Sequence, residues 1–167
     1  MEIGISLGSN QGDRLENLRR ACRELQAIPG FLLLAKSPVY ETEPVGVAPA
    51  FRDLRFLNAV VIAQWSRPAG ELLRECHRIE EGMGRRRGAD RYAPRPIDLD
   101  LIYAGDRPLR TPELELPHPR WAERRFVVQP LCDVRPDWTP PGGAQTVRAL
   151  LAALATRPGV ELFGTEW

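Results

Sequence analysis

The hydrophobic pattern of residues 3–102 switches repeatedly between the period of a β-strand and that of an α-helix. In chain order the segments are 3–7 (strand), 13–28 (helix), 31–42 (strand), 56–65 (strand), 68–83 (helix) and 97–102 (strand). This order is typical of the ferredoxin-like arrangement, in which two helices pack on one face of an antiparallel sheet.

The rest of the chain is punctuated by prolines and adds smaller elements to this core. We predict a hairpin at 103–109 around Gly105-Asp106, helices at 120–133 and 146–155, and a short strand at 160–163. The segment 43–55 has no clean period and is predicted to be a loop. The sequence therefore predicts one α+β domain over residues 1–167, with a ferredoxin-like βαββαβ core, helices on one face of an antiparallel sheet, and C-terminal helical and hairpin additions.

An arginine-rich segment lies directly before the last predicted core strand. Between Gly84 and Pro96 it contains a single acid, Asp90, and five arginines: Arg85, Arg86, Arg87, Arg91 and Arg95. Glycines and prolines at both ends favour a loop. The formal net charge of the whole chain is only +1, so this positive charge is local. We therefore expect a discrete anion site, since general attraction to nucleic acid or to a membrane requires a wider basic surface.

Two aspartates, Asp98 and Asp100, follow this segment inside the predicted strand. Residues i and i+2 of a strand point to the same face, so the two carboxylates should project side by side. Such like charges repel unless a cation lies between them, and Mg²⁺ commonly takes one or two protein carboxylates. Beside an arginine loop, the pair indicates magnesium-dependent phosphoryl chemistry. The residues alone leave open that the carboxylates face solvent or pair with nearby arginines.

The cysteines and the hydropathy profile bear on the cellular compartment. Cys22, Cys76 and Cys132 are far apart and show no CxxC spacing, which argues against a zinc site or a disulfide framework and favours a reducing compartment. The sequence shows neither a signal-peptide pattern nor an apolar run of membrane-spanning length. We expect a cytoplasmic protein without a membrane partner.

Several short motifs, in order along nearly the whole chain, resemble one known family. The segment RYAPRPIDLDLI (91–102) resembles the signature of the 6-hydroxymethyl-7,8-dihydropterin pyrophosphokinases. Further matches are ISLGSN (5–10), YETEPVG (40–46), FLNA (56–59) and LPHP (116–119), followed by Arg124 and Phe126. The resemblance implies a ferredoxin-like fold and transfer of a diphosphoryl group from ATP to the hydroxymethyl oxygen of the pterin, releasing AMP.

The resemblance also implies roles for individual residues. For ATP it implies His77, Glu80, Arg85, Arg87, Tyr92, Arg95, Leu101, His118 and Arg124. For the pterin it implies Thr42, Pro44, Val45, Gly46, Phe56, Asn58 and Phe126. The implied catalytic residues are Arg85, Arg95, Asp98 and Asp100, and the two aspartates are also implied to hold two Mg²⁺ ions. ATP and 6-hydroxymethyl-7,8-dihydropterin are the expected partners, nucleic acid is not, and we expect a monomer.

Some of these residues also have an ordinary structural interpretation. Asn58 could satisfy its buried amide on neighbouring backbone, and a phenylalanine is most often core. His77 and Glu80 share one helix face and could point to solvent. Arg86 and Arg91 could be solvated loop charges.

Two other functions fit parts of the pattern. A ferredoxin-like nucleic-acid-binding module could use the arginine loop, but it should carry aromatic residues on its strands, and the carboxylate pair would repel a polyanion. A two-metal nuclease could use Asp98 and Asp100, but it would need further acidic ligands, and the sequence offers no convincing third.

Overall fold

A six-stranded antiparallel sheet forms the centre of the computed structural model, which describes residues 1–44, 51, 53–85, 93–156 and 159–167. The elements are β1 (Glu2–Ser9), α1 (Arg14–Gln26), β2 (Phe31–Lys36), β3 (Val39–Thr42), β4 (Phe56–Trp65), α2 (Ala69–Gly82), β5 (Asp98–Ala104), β6 (Leu109–Arg110), β7 (Glu115–Leu116), α3 (Arg125–Val134), α4 (Val147–Ala153) and β8 (Val160–Gly164). The predicted α+β class and the ferredoxin-like order of the core are confirmed.

The strand order is β5-β1-β4-β3-β8, and β2 pairs further along the same strand β4. The predicted extended segment 31–42 is therefore two strands that follow one another along β4. At the break, the Ser37 N–H donates to the Val60 carbonyl, and the Val60 N–H donates to Ser37 Oγ, both at 2.9 Å. The serine side chain thus supplies the acceptor that an uninterrupted strand would supply from its backbone.

Both faces of the sheet are covered, which explains why β4 is almost entirely apolar. Val61 and Ala63 belong to the core beneath α1 and α2, whereas the alternate residues Val60 and Ile62 belong to a second core beneath α3 and α4. The prediction that two helices share one face is confirmed for α1 and α2. The C-terminal additions complete a third layer on the opposite face.

The C-terminal helices close only one end of that opposite face. A register shift between Gly4 and Ile5 places Gly4 opposite Tyr103. The Tyr103 ring stacks on Trp138 with a centroid separation of 4.1 Å, and its hydroxyl donates to a Glu2 carboxylate oxygen at 2.7 Å. These contacts seal the sheet where β1 begins and β5 ends, and the other end remains open.

The prediction of a hairpin at 103–109 is wrong in its pairing. The chain turns after β5, but β6 pairs with β7, and the Thr111 N–H donates to the Leu114 carbonyl at 2.8 Å within the intervening turn. The carbonyl of Ile102 in β5 instead accepts from the His118 N–H at 2.8 Å. The edge of β5 is thus used by a later segment, which local turn chemistry does not reveal.

The other C-terminal predictions are confirmed with small changes of boundary. The helix predicted at 120–133 is a short 3-10 helix, Trp121–Glu123, followed by α3. The helix α4 begins after Thr146, whose Oγ1 accepts from the Ala149 N–H, and β8 is the predicted terminal strand. In the part of the chain that the structure describes, no helix is long and apolar enough to span a membrane.

Candidate active site

A cleft of about 230 Å³ opens on the uncovered end of the sheet face that α3 and α4 partly cover. It lies where β1 and β3 end and β4 and β5 begin. The lining residues are Ser6, Gly8, Thr42, Glu43, Phe56, Asn58, Arg85, Arg95, Asp98, Asp100, His118, Arg120, Arg124 and Phe126. A wider cleft of about 610 Å³ continues from it across α2 and the β6–β7 hairpin, so the two aspartates lie at the border between the two spaces.

The two aspartates face the cleft together, because they occupy alternate positions of β5. Asp98 is paired with Arg85 at 2.5 Å and with Arg95 at 3.2 Å. Asp100 is paired with Arg124 at 3.5 Å. The pairing with arginines that the sequence left open is therefore present, and both carboxylates still line the cleft.

The electrostatic environment shifts the protonation of two neighbouring groups. Burial, reinforced by the negative charge of Asp98, raises the pKa of the Asp100 carboxyl above its ordinary value, although His118 and Arg124 oppose this shift. Burial also lowers the pKa of the His118 imidazole, against the attraction of Asp100. Its Nδ1 accepts from the Arg120 N–H at 3.1 Å, which places the proton of the neutral ring on Nε2.

Glu80 is a buried structural carboxylate with only 1% of its surface exposed, so the solvent-facing interpretation is wrong for it. Its Oε1 accepts from the Leu99 N–H at 2.8 Å and from the Arg85 guanidinium. Leu99 lies between the two aspartates, so Glu80 fixes both their strand and Arg85. Burial alone would lower the pKa of Arg85, but the charges of Asp98 and Glu80 outweigh it and raise that pKa.

We call the opposite end of the cleft neutral because its buried polar side chains, Asn58 and Thr42, are uncharged, although the exposed Glu43 beside Thr42 also lines the cleft. Asn58 is 3% exposed, and its Nδ2 donates to Thr42 Oγ1 at 2.7 Å. The Asn58 amide therefore donates to a side chain, whereas its ordinary structural interpretation had it bond to neighbouring backbone. A Cβ on Gly8 would lie 3.1 Å from Asn58 Oδ1, so the glycine leaves room for the amide at the floor of the cleft.

Two half-buried aromatic rings line this neutral end. Phe56 is the first residue of β4, and Phe126 lies in the first turn of α3. The Arg124 guanidinium lies over the Phe126 ring, 5.8 Å from its centroid, so the same turn also reaches the charged end. The C-terminal layer thus contributes to both ends of the cleft.

Most of the residues singled out in the sequence lie together here. Thr42, Phe56, Asn58, Arg85, Arg95, Asp98, Asp100, His118, Arg124 and Phe126 line the narrow cleft, and His77, Glu80 and Leu101 line the wide one. Pro44 is described but lines neither cleft. Val45, Gly46, Arg86, Arg87, Arg91 and Tyr92 lie outside the described residues.

Four lining residues of the narrow cleft were missed: Ser6, Gly8, Glu43 and Arg120. Ser6 and Gly8 alternate with the buried Ile5 and Leu7, so their position on the opposite face could have been inferred from the period of β1. For Arg120 the sequence carries no signal, because its place in the cleft depends on the turn that precedes α3.

Comparison with known proteins identifies relatives over most of the chain. The model of the 7,8-dihydro-6-hydroxymethylpterin-pyrophosphokinase family matches residues 4–136. A 2-amino-4-hydroxy-6-hydroxymethyldihydropteridine pyrophosphokinase of Synechocystis is 35% identical over 167 aligned residues, covering 96% of this chain and 83% of the relative. A mitochondrial folate synthesis bifunctional protein of Pisum sativum is 43% identical over 133 residues, covering 80% of this chain.

The bifunctional relatives are much longer than the matched region. This chain spans 25% of the Pisum sativum protein and 27% of a folate synthesis bifunctional protein of Arabidopsis thaliana. Among solved structures, a pyrophosphokinase–DHPS protein in complex with substrates superimposes with a TM-score of 0.67 over 91% of this chain and 43% of its own. Its sequence is only 11% identical, so this likeness concerns the fold alone.

Proposed function

The chain belongs to the 7,8-dihydro-6-hydroxymethylpterin-pyrophosphokinase family, and we propose that it transfers the diphosphoryl group of ATP to 6-hydroxymethyl-7,8-dihydropterin. The hydroxymethyl oxygen attacks the β-phosphorus and its proton is released to solvent, the bond from that phosphorus to the bridging oxygen of the α-phosphate breaks, and AMP leaves with that oxygen. One observation carries the proposal: an amide-and-aromatic end and a carboxylate-and-arginine end meet within a single cleft.

The neutral end suits the flat, amide-bearing pterin. Phe56 and Phe126 both line the cleft there, and aromatic rings favour offset stacking on flat heterocycles. Asn58 is held by Thr42 and offers the remaining amide hydrogen and its carbonyl to the polar edge of the ring. A hydrogen-bonded amide in a buried wall orients a ligand and rejects rings that lack the matching edge.

The charged end suits a triphosphate. Arg85, Arg95 and Arg124 all line the narrow cleft, and a guanidinium stays protonated and binds phosphate oxygens in a bidentate manner. Phosphoryl transfer depends mostly on positioning and on stabilisation of charge, and these arginines together with the neutral His118 Nε2–H can stabilise the charge on the phosphate oxygens. Leu101 and His77 line the wider space beyond, where we place the nucleoside.

The aspartate pair is the proposed magnesium site. Two carboxylates side by side match the donor set that Mg²⁺ takes when phosphate and water fill its other positions. Burial, and after it the negative charge of Asp98, raises the pKa of the Asp100 carboxyl, and a cation bound between the two carboxylates would oppose both effects. Bound there, two Mg²⁺ ions would neutralise and align the phosphates.

We further propose that residues 1–167 act as a single pyrophosphokinase domain, as a cytoplasmic monomer and without a nucleic-acid partner. The C-terminal layer packs on the same sheet as the core, which supports one domain. The described cysteines Cys22, Cys76 and Cys132 are all free thiols, which fits a reducing compartment. The two carboxylates of the cleft, Asp98 and Asp100, would repel an extended polyanion, which supports the expectation of no nucleic-acid partner.

Product analysis tests the reaction. The protein is mixed with Mg-ATP and 6-hydroxymethyl-7,8-dihydropterin, and the products are identified by chromatography and phosphorus NMR. We expect AMP and a pterin diphosphate in equal amounts, and no AMP when the pterin is omitted. ADP with a pterin monophosphate would show that a different phosphorus is attacked. A folded sample without pterin-dependent turnover would refute the proposal, and salt-sensitive RNA binding without ATP would favour the nucleic-acid-binding alternative.

A further inference from the structure

The turn after β1 is bonded to the arginine segment that reaches Asp98. Asn10 directly follows β1 and is 3% exposed. Its side-chain Oδ1 accepts from the Arg95 N–H at 2.8 Å, and its own N–H donates to the Arg95 carbonyl at 3.3 Å. One residue thus satisfies both backbone groups of Arg95, although the two lie 85 positions apart in the chain.

Arg95 depends on this partner because of its neighbours. Pro94 and Pro96 have no N–H, so Arg95 carries the single backbone donor of the segment 94–96. Proline also fixes its own φ angle and restricts the residue before it to extended conformations. The segment is therefore stiff, and the bonds to Asn10 determine where it is anchored.

The anchoring residue is itself held firmly. Asn17 in α1 donates through Nδ2 to Ser9 Oγ at 3.2 Å and to the Gln11 carbonyl at 2.8 Å, on either side of Asn10. From this fixed backbone the Arg95 side chain extends to Asp98, with its Nε donating to the Ala93 carbonyl at 3.3 Å. A continuous set of hydrogen bonds therefore runs from α1 to the guanidinium in the cleft.

Only one half of the Asn10 amide contributes to this arrangement. Asn10 Nδ2 is buried without a hydrogen-bond partner among the described residues, whereas Oδ1 accepts from Arg95. A buried N–H group without a hydrogen-bond partner costs free energy, so the amino group does not explain why an asparagine occupies this position. The useful atom is the acceptor.

We infer that Asn10 is a positioning residue that sets the placement of the Arg95 guanidinium for diphosphoryl transfer. The predicted effect of Asn10 on turnover rests on the proposed function. The predicted effect of Asn10 on the placement of Arg95 rests on the hydrogen bonds alone. Misplacement of a phosphate-binding group by about an ångström can cost about 10²-fold in rate. Asn10 lines neither end of the cleft, so loss of its acceptor should affect turnover and leave pterin binding intact.

Four variants test this. Asn10→Leu keeps the shape of the side chain and removes the acceptor, and Asn10→Asp keeps the acceptor. Arg95→Ala and the double variant Asn10→Leu/Arg95→Ala complete a double-mutant cycle. Asp13→Ala is the matched control: it removes the N-cap of α1 in the same turn, where Asp13 Oδ1 accepts from the Glu16 N–H, and it keeps both atoms of Asn10 that bond to Arg95.

We expect Asn10→Leu to lower kcat by about 10- to 100-fold while the KM for the pterin changes by less than about twofold. Asn10→Asp should recover most of the lost turnover. In the Arg95→Ala background, Asn10→Leu should add less than about a twofold loss, because it acts through a side chain that is already missing. Asp13→Ala should lower stability and leave kcat unchanged. The inference would be overturned if the losses of kcat caused by Asn10→Leu and by Arg95→Ala multiplied in the double variant. It would also be overturned if Asp13→Ala lowered kcat as much as Asn10→Leu does.

Amide hydrogen exchange gives a second readout that needs no turnover. The Arg95 amide should exchange at least about tenfold faster in Asn10→Leu than in the wild type, and at the wild-type rate in Asn10→Asp and Asp13→Ala. If the wild type were inactive, the proposed function would fail while this measurement still decided the role of Asn10. An unchanged Arg95 amide in a folded Asn10→Leu variant would overturn the inference.

Discussion

Asp98 provides the negative charge that holds two arginines in the cleft. Arg85 and Arg95 both pair with it, and its side chain is partly exposed and lies outside both hydrophobic cores. We predict that Asp98→Asn folds normally but loses about 10²–10³-fold in turnover with Mg-ATP, as expected for loss of one charge-stabilising group. With EDTA present, the same variant should bind ATP more tightly than the wild type, because both guanidinium groups lose the Asp98 carboxylate as a competitor, while Arg85 keeps its pair with Glu80.

Calorimetry with and without EDTA, together with steady-state kinetics, measures both effects. Asp137→Asn is the matched control, since Asp137 is an exposed carboxylate that pairs with Arg148 at the surface. It should change neither quantity. Near-normal activity of Asp98→Asn with magnesium would contradict the assignment of the aspartates to the metal site.

Individual residues show what the sequence could and could not predict about the site. The shared face of Asp98 and Asp100 follows from the two-residue period of a strand, and the structure confirms it. The burial of Glu80 did not follow, because a carboxylate on a helix ordinarily faces water and only the packing of α2 against β5 brings it to the Leu99 N–H. The partnership of Asn10 with Arg95 depends on a contact between distant segments, which no local pattern encodes.

The elements of the core were predictable where one physical signal dominated. The helical periods of α1 and α2 and the apolar run of β4 are strong enough to fix type and approximate bounds. The pairing of β6 with β7 was not predictable, because turn residues locate a reversal and do not say which strand it will join. Coverage of both faces was also missed, since an apolar run in a strand is compatible with several kinds of buried sheet.

The contact between β1 and Tyr103 makes a direct prediction about stability. A Cβ at Gly4 would lie 2.4 Å from Tyr103 Cε1, and the ring cannot shift easily because it stacks on Trp138 and donates to Glu2. We therefore predict that Gly4→Ala lowers the free energy of unfolding by about 1–3 kcal/mol, the usual cost of overpacking a core.

Urea denaturation measures this difference, and Gly70→Ala is the control. Gly70 lies in the first turn of α2, and a Cβ there would meet no atom within 4 Å. Its replacement should be neutral or slightly stabilising, since alanine has the higher helix propensity. A Gly4→Ala variant as stable as Gly70→Ala would mean that the Tyr103 ring has room that its contacts do not indicate.

The charge distribution of the whole molecule distinguishes the sites that we propose for the two substrates. The formal net charge is only +1, yet the narrow cleft is lined by four arginines: Arg85, Arg95, Arg120 and Arg124. The end that we assign to the pterin is lined by the uncharged side chains of Phe56 and Asn58, with the carboxylate of Glu43 nearby in the same cleft. Salt screens the attraction of a triphosphate to such a cluster and has little effect on stacking and neutral hydrogen bonds.

We therefore predict that raising sodium chloride from about 50 mM to about 500 mM increases the KM for Mg-ATP several-fold and the KM for the pterin by less than about twofold. Arg120→Ala and Arg148→Ala distinguish a local field from an overall one. Both residues are exposed, and each substitution removes one positive charge, but Arg120 lines the cleft and Arg148 pairs with Asp137 beside α4.

If the local cluster attracts the nucleotide, Arg120→Ala should raise the KM for Mg-ATP at low salt and flatten its salt dependence, whereas Arg148→Ala should match the wild type. Equal effects of Arg120→Ala and Arg148→Ala on the KM for Mg-ATP would show that the net charge of the protein governs its encounter with the nucleotide. Equal salt dependence of the two substrates would contradict the division of the cleft into a charged and a neutral end. Because both KM values come from the same samples, a general effect of salt on folding would appear in both and could not mimic the predicted difference.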